Sequence, residues 1–518
     1  MRSFLTRYHS EVKGVLSGFD RLRFRGTIRW LSSWQGMMSY LGTIRVLLKD
    51  FKGWSMALTE ELKQSTEKVA EAAGRPILYL GSSQIRKEDF ALNIAKADRI
   101  SEGLICVLTC VEPCYTFKVG PNPQLKQLEL RYGRSKCLHH YFYWHHPQLG
   151  LVHLRLQTWL PLTVHVGLNG REWLANQLRA EAIAFEQRDN CFVDVGDVGR
   201  AQALFDRQLK TNWSELLDGL LRGVHPLSAK LFRGQPLNYY WSAEETEWAT
   251  DVMFRSREAL DRVYSRWVRQ ALTTFDCGDV LRFLGRSPKV RLFKTAEICS
   301  TLKTRPEGTR VKHQVNSNSV KMYNKQESLL RVETTINNPR DMKVLRATEG
   351  QPKSRKRYQR LRKGVADLHR RARVSQQANE RYLEALAAVD HTASLAETVQ
   401  PLCQPRRWRR RRVRGLQPFE IHDTALLAAI AKPEFVLTGF RNRDLRPLLF
   451  GTASVPPRTI RRQSARITRM LRMLRAHRLI RKVPKSHRYQ LTETGRNTVT
   501  AITAAQLANV QQLTQLAV

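Results

Sequence analysis

Residues 456–496 read PPRTIRRQSARITRMLRMLRAHRLIRKVPKSHRYQLTETGR. After two prolines, apolar Ile467, Met470, Leu471 and Leu474 recur at helical spacing in a basic background. The pattern predicts a helix over 457–476, with Leu479 extending its buried stripe. Proline suits the first turn of such a helix, where its missing N–H would have had no partner anyway. Short strands are expected over 479–484 and 488–491, turning at Lys485 and Ser486, and a closing helix over 495–507. Upstream, helices are expected over 425–431 and 442–450, with a short strand at 435–437 between them. Arg461, Arg462, Arg466 and Arg469 fall on the first half of the long helix, and Arg481, Lys482, Lys485, His487 and Arg488 on the hairpin.

In this order of elements, residues 418–518 resemble the winged-helix DNA-binding domains of the MarR-like group. The resemblance implies that the long helix enters a major groove while the hairpin meets phosphate or minor groove. It makes those nine basic residues the expected nucleic-acid contacts. A winged helix used for protein contacts is the alternative. Regulators of this group are short, which leaves residues 1–417 to another task and casts the C-terminal module as a tethered targeting device.

The whole chain has 518 residues, room for roughly three domains of about 150 residues. Hydrophobic residues make up 42%, enough for sizeable cores. Lys and Arg total 87 against 46 Asp and Glu, a formal net charge of +41. Such an excess points to a polyanionic partner: duplex DNA first, structured RNA as the alternative. A run at 406–414 holds seven Arg, and Arg409, Arg410 and Arg411 join the expected nucleic-acid contacts. No apolar run approaches the roughly 18 residues of a membrane span, and residues 1–18 lack a signal-peptide core. Eight scattered Cys suit reduced thiols in a bacterial cytoplasm. Cys106, Cys110 and Cys114, in LICVLTCVEPC, read as small core residues rather than metal ligands.

The expected fold is a mixed α+β and α/β multidomain chain, an α/β and α+β body followed by the winged helix. Residues 1–120 alternate helix and strand as an α/β domain, with a helix over 1–18 and a strand over 20–28. Residues 121–215 read as a small α+β sandwich, and 216–300 as mainly helical, including a helix over 246–257. Residues 301–390 read as a basic strand patch, a basic linker or loop over 350–363 and a long helix. Residues 391–417 read as an Arg-rich linker before the 418–518 module.

Within the strand patch, KMYNK and LLRVETTIN place Lys321, Tyr323 and Lys325 on one strand face, and Arg331 and Glu333 on one face of the next. These strands resemble the YDK…RxE strands of rolling-circle replication initiators. That resemblance implies Tyr323 as a nucleophile on DNA phosphate, with Lys325 and Glu333 as catalytic partners and a divalent metal, Mg2+ or Mn2+, beside them. The pair of His flanking an apolar residue in those initiators has no clean counterpart; His139, His140, His145, His146, His153 and His165 are the candidates. The alternative is a basic strand face, with Lys321 and Arg331 on a nucleic-acid backbone and Glu333 as their salt-bridge partner. Asp20, Glu112 and Glu333, acids on three separate strands, form the candidate metal set for a nuclease. Glu247 and Asp251 read as a solvated helix face.

No P-loop, dinucleotide fingerprint, HExxH, zinc-spaced CxxC pair or nucleophile elbow is present. Through LNGREWLANQL, KMYNK…LRVETTINNP, GFRNRDLRPLLF and LIRKVPKSHRYQLT the chain is also similar to a bacterial protein family, a resemblance that brings no activity with it. The expectation is a nucleic-acid-binding protein of a mobile-element or replication process, with metal-dependent strand cleavage. The alternative is a non-catalytic regulator or a partner of structured RNA.

Overall fold

The computed structural model describes residues 1–225, 238–286, 296–305, 308–348, 351, 355–388, 395–409, 411–432, 435, 439–453, 455–483 and 486–508. The fold is mixed α+β, with helices and one large sheet plus small hairpins. Met1–Phe275, Phe283–Arg286 and Ile298–Glu384 form one compact unit; Asp276–Arg282, residues 296–297 and the described residues from 385 onward form the other.

The first unit is organised by an eleven-stranded sheet. Its strands are β1 (Val12–Ile28), β2 (Ile77–Tyr79), β3 (Gly103–Asn122), β4 (Gln127–His146), β5 (Gly150–Gln157) and β6 (Val164–Asn169). After the separate hairpin β7 (Phe185–Arg188) and β8 (Cys191–Val195) come β9 (Tyr239–Phe254), β10 (Ile298–Arg305), β11 (Gly308–Val315), β12 (Asn318–Lys325) and β13 (Leu329–Ile336). Their order is β10-β11-β12-β13-β9-β1-β6-β5-β4-β3-β2, and only β2 runs parallel to its neighbour. The order repeats itself. In each half a long strand (β1 or β9) leads through helices into a four-strand meander whose last strand (β6 or β13) returns beside it. The two long strands then pair antiparallel at the centre.

This sheet joins what were expected as four segments. The 1–120 segment is not a parallel α/β domain, because β3 crosses residue 120 and pairs along its length with β4. The expected helix over 1–18 is a short helix, Arg2–Arg7, followed by β1. The expected helix over 246–257 is the C-terminal part of β9. Trp248 and Val252 stand four apart and imitate a helix stripe, but β9 is central and buried on both faces, so alternation is lost. Aromatic and β-branched residues favour the strand. The expected loop over 350–363 contains β15 (Arg357–Arg360), paired with β14 (Lys343–Arg346).

Both faces of the sheet are covered. Leu22, Phe24 and Trp241 enter the main core, and the helix Leu368–Ala388 hydrogen-bonds the same side of β9 through Asn379 and Gln376. On the opposite face, Leu16 and Met253 pack with the helices Gly170–Ala180 and Val198–Phe205. Gly18 permits that approach: a Cβ there would lie 2.2 Å from the Phe205 ring. Gly18→Val is therefore expected to cost about 1–3 kcal/mol in denaturant unfolding. Gly133→Ala, with nothing within 4 Å of the added carbon, serves as the near-neutral control.

The second unit contains the expected C-terminal elements: helices Ile421–Ile430, Asn442–Phe450 and Pro457–Ala476, hairpin β18 (Ile480–Lys482) with β19 (Tyr489–Leu491), and helix Glu493–Leu507. Phe440 bridges to Tyr489, adding an extended residue beside the hairpin; of the expected strand at 435–437, residues 436–437 lie outside the described residues. The stretch 391–417 is not a plain linker. It holds helix Leu395–Cys403 and hairpin β16 (Arg406–Trp408) with β17 (Arg411–Val413), and Val399, Leu402, Val413 and Leu416 join this unit's core.

Candidate active site and nucleic-acid interface

Three carboxylates meet where β13, β9 and β1 lie side by side. Asp20 comes from β1, Glu247 from β9 and Glu333 from β13, and one oxygen of each lies within 4.8 Å of the others. A β-bulge sets Asp20. Phe19 pairs with Trp248 and Leu22 with Thr246, so Asp20 and Arg21 together stand opposite Glu247. Glu333 pairs with Ala249, one step along the same face of β9 from Glu247. Asp20 and Glu333 thus belong together, as expected from their sequence. Glu247 is the third member, and it had been read as part of a helix.

Glu112, the expected third acid, lies elsewhere. It is on β3, four strands from β1, where Lys87 (2.8 Å), Arg155 (2.9 Å) and the Tyr141 hydroxyl (2.5 Å) hold it. These contacts keep its carboxyl below the usual range despite burial. It is a salt-bridge residue, not a ligand of the triad.

The paired strands form the expected patch: Lys321 stands opposite Glu333, and Tyr323 opposite Arg331. Tyr323 Oη donates to Glu333 Oε2 at 2.8 Å. Lys321 Nζ donates to Glu333 Oε1 at 2.6 Å and to Glu247 Oε1 at 3.0 Å. Burial opposes the charge on Glu333, yet Lys321 and Arg331 hold its pKa down to about 2. Glu247 goes the other way: burial and the charge of Glu333 raise it to about 7. Burial and the charge of Glu333 also raise Tyr323, which favours its neutral phenol.

The other strand-borne cations are not free for phosphate. Arg331 is wholly buried and forks onto Asp251, Nε to Oδ1 at 2.6 Å and Nη2 to Oδ2 at 2.8 Å, and its Nη1 reaches Asp20 Oδ2 at 3.3 Å. Its place in an all-buried strand forbids a role on a nucleic-acid backbone. Lys325 is paired with Asp189 at 2.8 Å, not with Tyr323, and Lys321 bridges two carboxylates. Arg171 and Asn190 were missed by the sequence reading. Arg171 Nη2 lies 3.1 Å from Asp251, and Asn190 Nδ2 donates to Asp20 Oδ1 at 2.6 Å.

Beside Asp20 opens a cleft of about 370 Å3, lined by Arg21, Arg23, His153 and Asn190 among others. None of the candidate histidines is a ligand of the triad. Burial keeps His140 and His153 neutral, with pKa values lowered to about 4, and lowers His165 to about 3.

In the second unit, helix Pro457–Ala476 buries Ile467, Leu471 and Leu474 and exposes Arg461, Arg462, Arg466 and Arg469. A groove of about 1040 Å3 runs along it, lined by Arg412, Arg414, Arg462, Arg466, Arg469 and Arg472 among others. Asp423 pairs with Arg414 at 2.6 Å. Arg409 and Arg411 are exposed, Arg409 lying over Trp408 at 4.8 Å from the ring centre. On the hairpin Arg481, Lys482 and His487 are exposed and Arg488 is half-buried, with Nη1 donating to the Gly439 carbonyl. Arg410 and Lys485 lie outside the described residues. The first unit carries a second basic cleft, about 640 Å3, where Lys343, Arg346, Lys356, Arg370 and Arg373 surround exposed Tyr358. The sequence signal for it was the basic run at 350–363, which was read as a loop.

Among the described residues no helix is long and apolar enough to cross a membrane. Comparison with protein families, with curated proteins and with solved structures finds no match to this chain.

Proposed function

We propose that the protein binds DNA and cuts one strand of it, with Tyr323 as nucleophile and a divalent ion, Mg2+ or Mn2+, held by Asp20, Glu247 and Glu333. The observation that carries this reading is the Tyr323 hydroxyl on Glu333, beside two further carboxylates on adjacent strands. Hard oxygen donors select Mg2+ or Mn2+ over softer ions. A bound divalent ion would supply the positive charge that favours the phenolate and neutralises the phosphate. Glu333 Oε2 takes the phenol proton only in passing: the Tyr323 oxygen forms a bond to phosphorus, the bond from phosphorus to the deoxyribose oxygen breaks, and the leaving oxygen takes up the proton as a hydroxyl. The strand end is left as a tyrosyl phosphodiester, which the freed hydroxyl can reverse. Lys321 orients Glu333, and Arg331 and Asn190 orient Asp20. Such a reversible nick serves replication or movement of a genetic element, in the cytoplasm. The winged-helix-like Arg groove of the second unit holds the duplex.

The test is a nicking assay on supercoiled and single-stranded DNA with Mg2+ or Mn2+. Metal-dependent nicks with protein attached to one strand end are expected; binding without cutting in any divalent metal ends the proposal. The second reading rests on Lys321, whose ammonium already bridges Glu247 and Glu333. If it serves as the permanent counter-ion, the protein is a non-catalytic regulator, or a partner of structured RNA, acting through its Arg groove.

Two quantitative expectations follow from the electrostatics. The raised Glu247 favours its protonated form in the folded state, so its contribution to stability falls as pH rises from about 4.5 to about 7. A proton there competes with metal. The rise in Tm on adding Mn2+ should be larger at about pH 8 than at about pH 6, and Glu247→Gln should flatten that difference. In the groove, each of Arg462→Ala, Arg466→Ala and Arg469→Ala that loses a phosphate contact should lower the slope of log affinity against log salt by about 0.9. An unchanged slope in all three would place the nucleic acid elsewhere.

A further inference from the structure

A second cluster of ligand-type side chains lies on β3 and β4, well away from the carboxylates. Cys114 Sγ, Cys137 Sγ and a ring nitrogen of His139 are all within 4.8 Å of one another. The register explains the meeting. Cys137 pairs with Glu112 and Cys114 with Ser135, so the two thiols are diagonal neighbours on one face, with His139 two residues beyond Cys137. Both cysteines are free and half-buried, unlike the fully buried Cys106 and Cys110. Reading Cys114 as a core residue therefore fails, while the same reading holds for the other two.

The partners of His139 fix which ring tautomer it holds. Arg155 Nη2 lies 3.1 Å from Nε2, and a guanidinium can only donate, so Nε2 carries the lone pair. Nδ1 then carries the proton and donates to the Cys137 carbonyl at 3.1 Å. A backbone carbonyl on one ring nitrogen, with the lone pair on the other, is the outer-shell arrangement that orients metal-bound histidine. The two sulfurs are 3.2 Å apart. That is far beyond a disulfide of about 2.05 Å. Two thiolates on a tetrahedral ion with metal–sulfur bonds of about 2.3 Å stand about 3.8 Å apart, so loading asks for a small opening. Arg155 must release Nε2, and it remains paired with Glu112 at 2.9 Å.

We propose that Cys114, Cys137 and His139 form a site for a thiophilic divalent ion of the zinc class, with a fourth position left for water or an exogenous ligand. Two thiolates balance the ion's charge, and sulfur with imidazole selects it against Mg2+ and Mn2+. The ion would clamp β3 to β4 where their burial changes from continuous to alternating.

The probe is Co2+, added to the reduced full-length chain. One equivalent should give a sulfur-to-cobalt charge-transfer band with the intense visible bands of tetrahedral cobalt, and Zn2+ should displace it. Cys114→Ser and Cys137→Ser should each abolish the charge-transfer signal of the pair, and His139→Asn should weaken Co2+ binding by at least about tenfold. Cys277→Ser and Glu333→Gln should leave the bands unchanged, which separates this site from the carboxylates. If a serine variant fails to fold, the metal content of the isolated wild-type chain, with loss of Tm on chelation, serves instead. The proposal is overturned if the reduced chain shows no charge-transfer band, if the band survives both serine substitutions together, or if thiol trapping finds Cys114 and Cys137 joined as a disulfide in freshly isolated protein.

Discussion

Glu333→Gln is expected to remove metal-dependent nicking, by on the order of 100- to 1000-fold, while leaving DNA affinity at the wild-type level. No other acid of the triad touches as much of the machinery. One oxygen of Glu333 receives the Tyr323 hydroxyl and the other receives Lys321. Glutamine keeps the shape but loses the charge, the proton acceptor for Tyr323 and one donor to the ion. It also removes the charge that helps raise Glu247, so the pH dependence of metal binding should move to lower pH. Tyr323→Phe separates the roles. It keeps the carboxylates and metal binding but loses the oxygen that attacks phosphorus, so the covalent protein–DNA adduct should vanish. Wild-type nicking in Glu333→Gln, measured on a denaturing gel, would sink the active-site assignment; an adduct surviving in Tyr323→Phe would move the nucleophile elsewhere.

Half of this site was legible because its strands announce themselves. In KMYNK the residues Lys321, Tyr323 and Lys325, and in LLRVETTIN the residues Arg331 and Glu333, recur at every second position, so their shared faces follow from the two-residue period of a strand. The observed register pairs them. In LLRVETTI every residue is buried, and an Arg inside such a strand must be matched by buried acids rather than by phosphate. Glu247 and Asp251 stayed hidden for a different reason. They sit on a strand covered on both faces, which has no alternation to read, and two aromatic and aliphatic residues four apart imitate a helix. Choosing Glu112 as the third acid failed on topology. Which strands become neighbours depends on β1 and β9 pairing across more than 200 residues of chain, and no local pattern encodes that. The C-terminal module was more legible because its elements are short, sequential and locally amphipathic. Its one misread part, 391–417, was judged by charge, although Leu402, Val413 and Leu416 mark it as core.

The largest effect on stability is expected from Asp251→Ala. Asp251 is buried on β9, accepts from Arg331 and pairs with Arg171 at 3.1 Å, and both guanidiniums are themselves wholly buried. Among the described residues, Asp20 is the only other carboxylate in salt-bridge reach of either, at 3.3 Å from Arg331 and 4.0 Å from Arg171. Two of Arg171's guanidinium nitrogens already lack a hydrogen-bond partner among the described residues. Removing Asp251 leaves a buried positive charge in excess, which costs about 3–5 kcal/mol, a large share of a typical total of about 5–15 kcal/mol. Replacing Asp251, Arg171 and Arg331 together with apolar residues of similar volume should recover much of that loss, because the pairs themselves yield little net stability once their desolvation is counted. The sign with pH is fixed. Burial works against the Asp251 charge, but Arg171 and Arg331 hold its pKa below the ordinary value. Its contribution is therefore present above the unfolded pKa of about 3.9 and is lost as pH falls through the folded value, so Asp251→Asn should show a shallower acid transition than wild type. Denaturant midpoints measured from neutral to acid pH decide this; an Asp251→Ala protein within about 1 kcal/mol of wild type would overturn it. The change also reaches the triad. Freed from Asp251, Arg331 keeps Asp20 as its carboxylate partner among the described residues, and a guanidinium seated more firmly on Asp20 competes with any metal there. Molecules of Asp251→Ala that still fold should then bind Mn2+ more weakly, whereas a purely structural network would leave metal affinity in the folded fraction untouched.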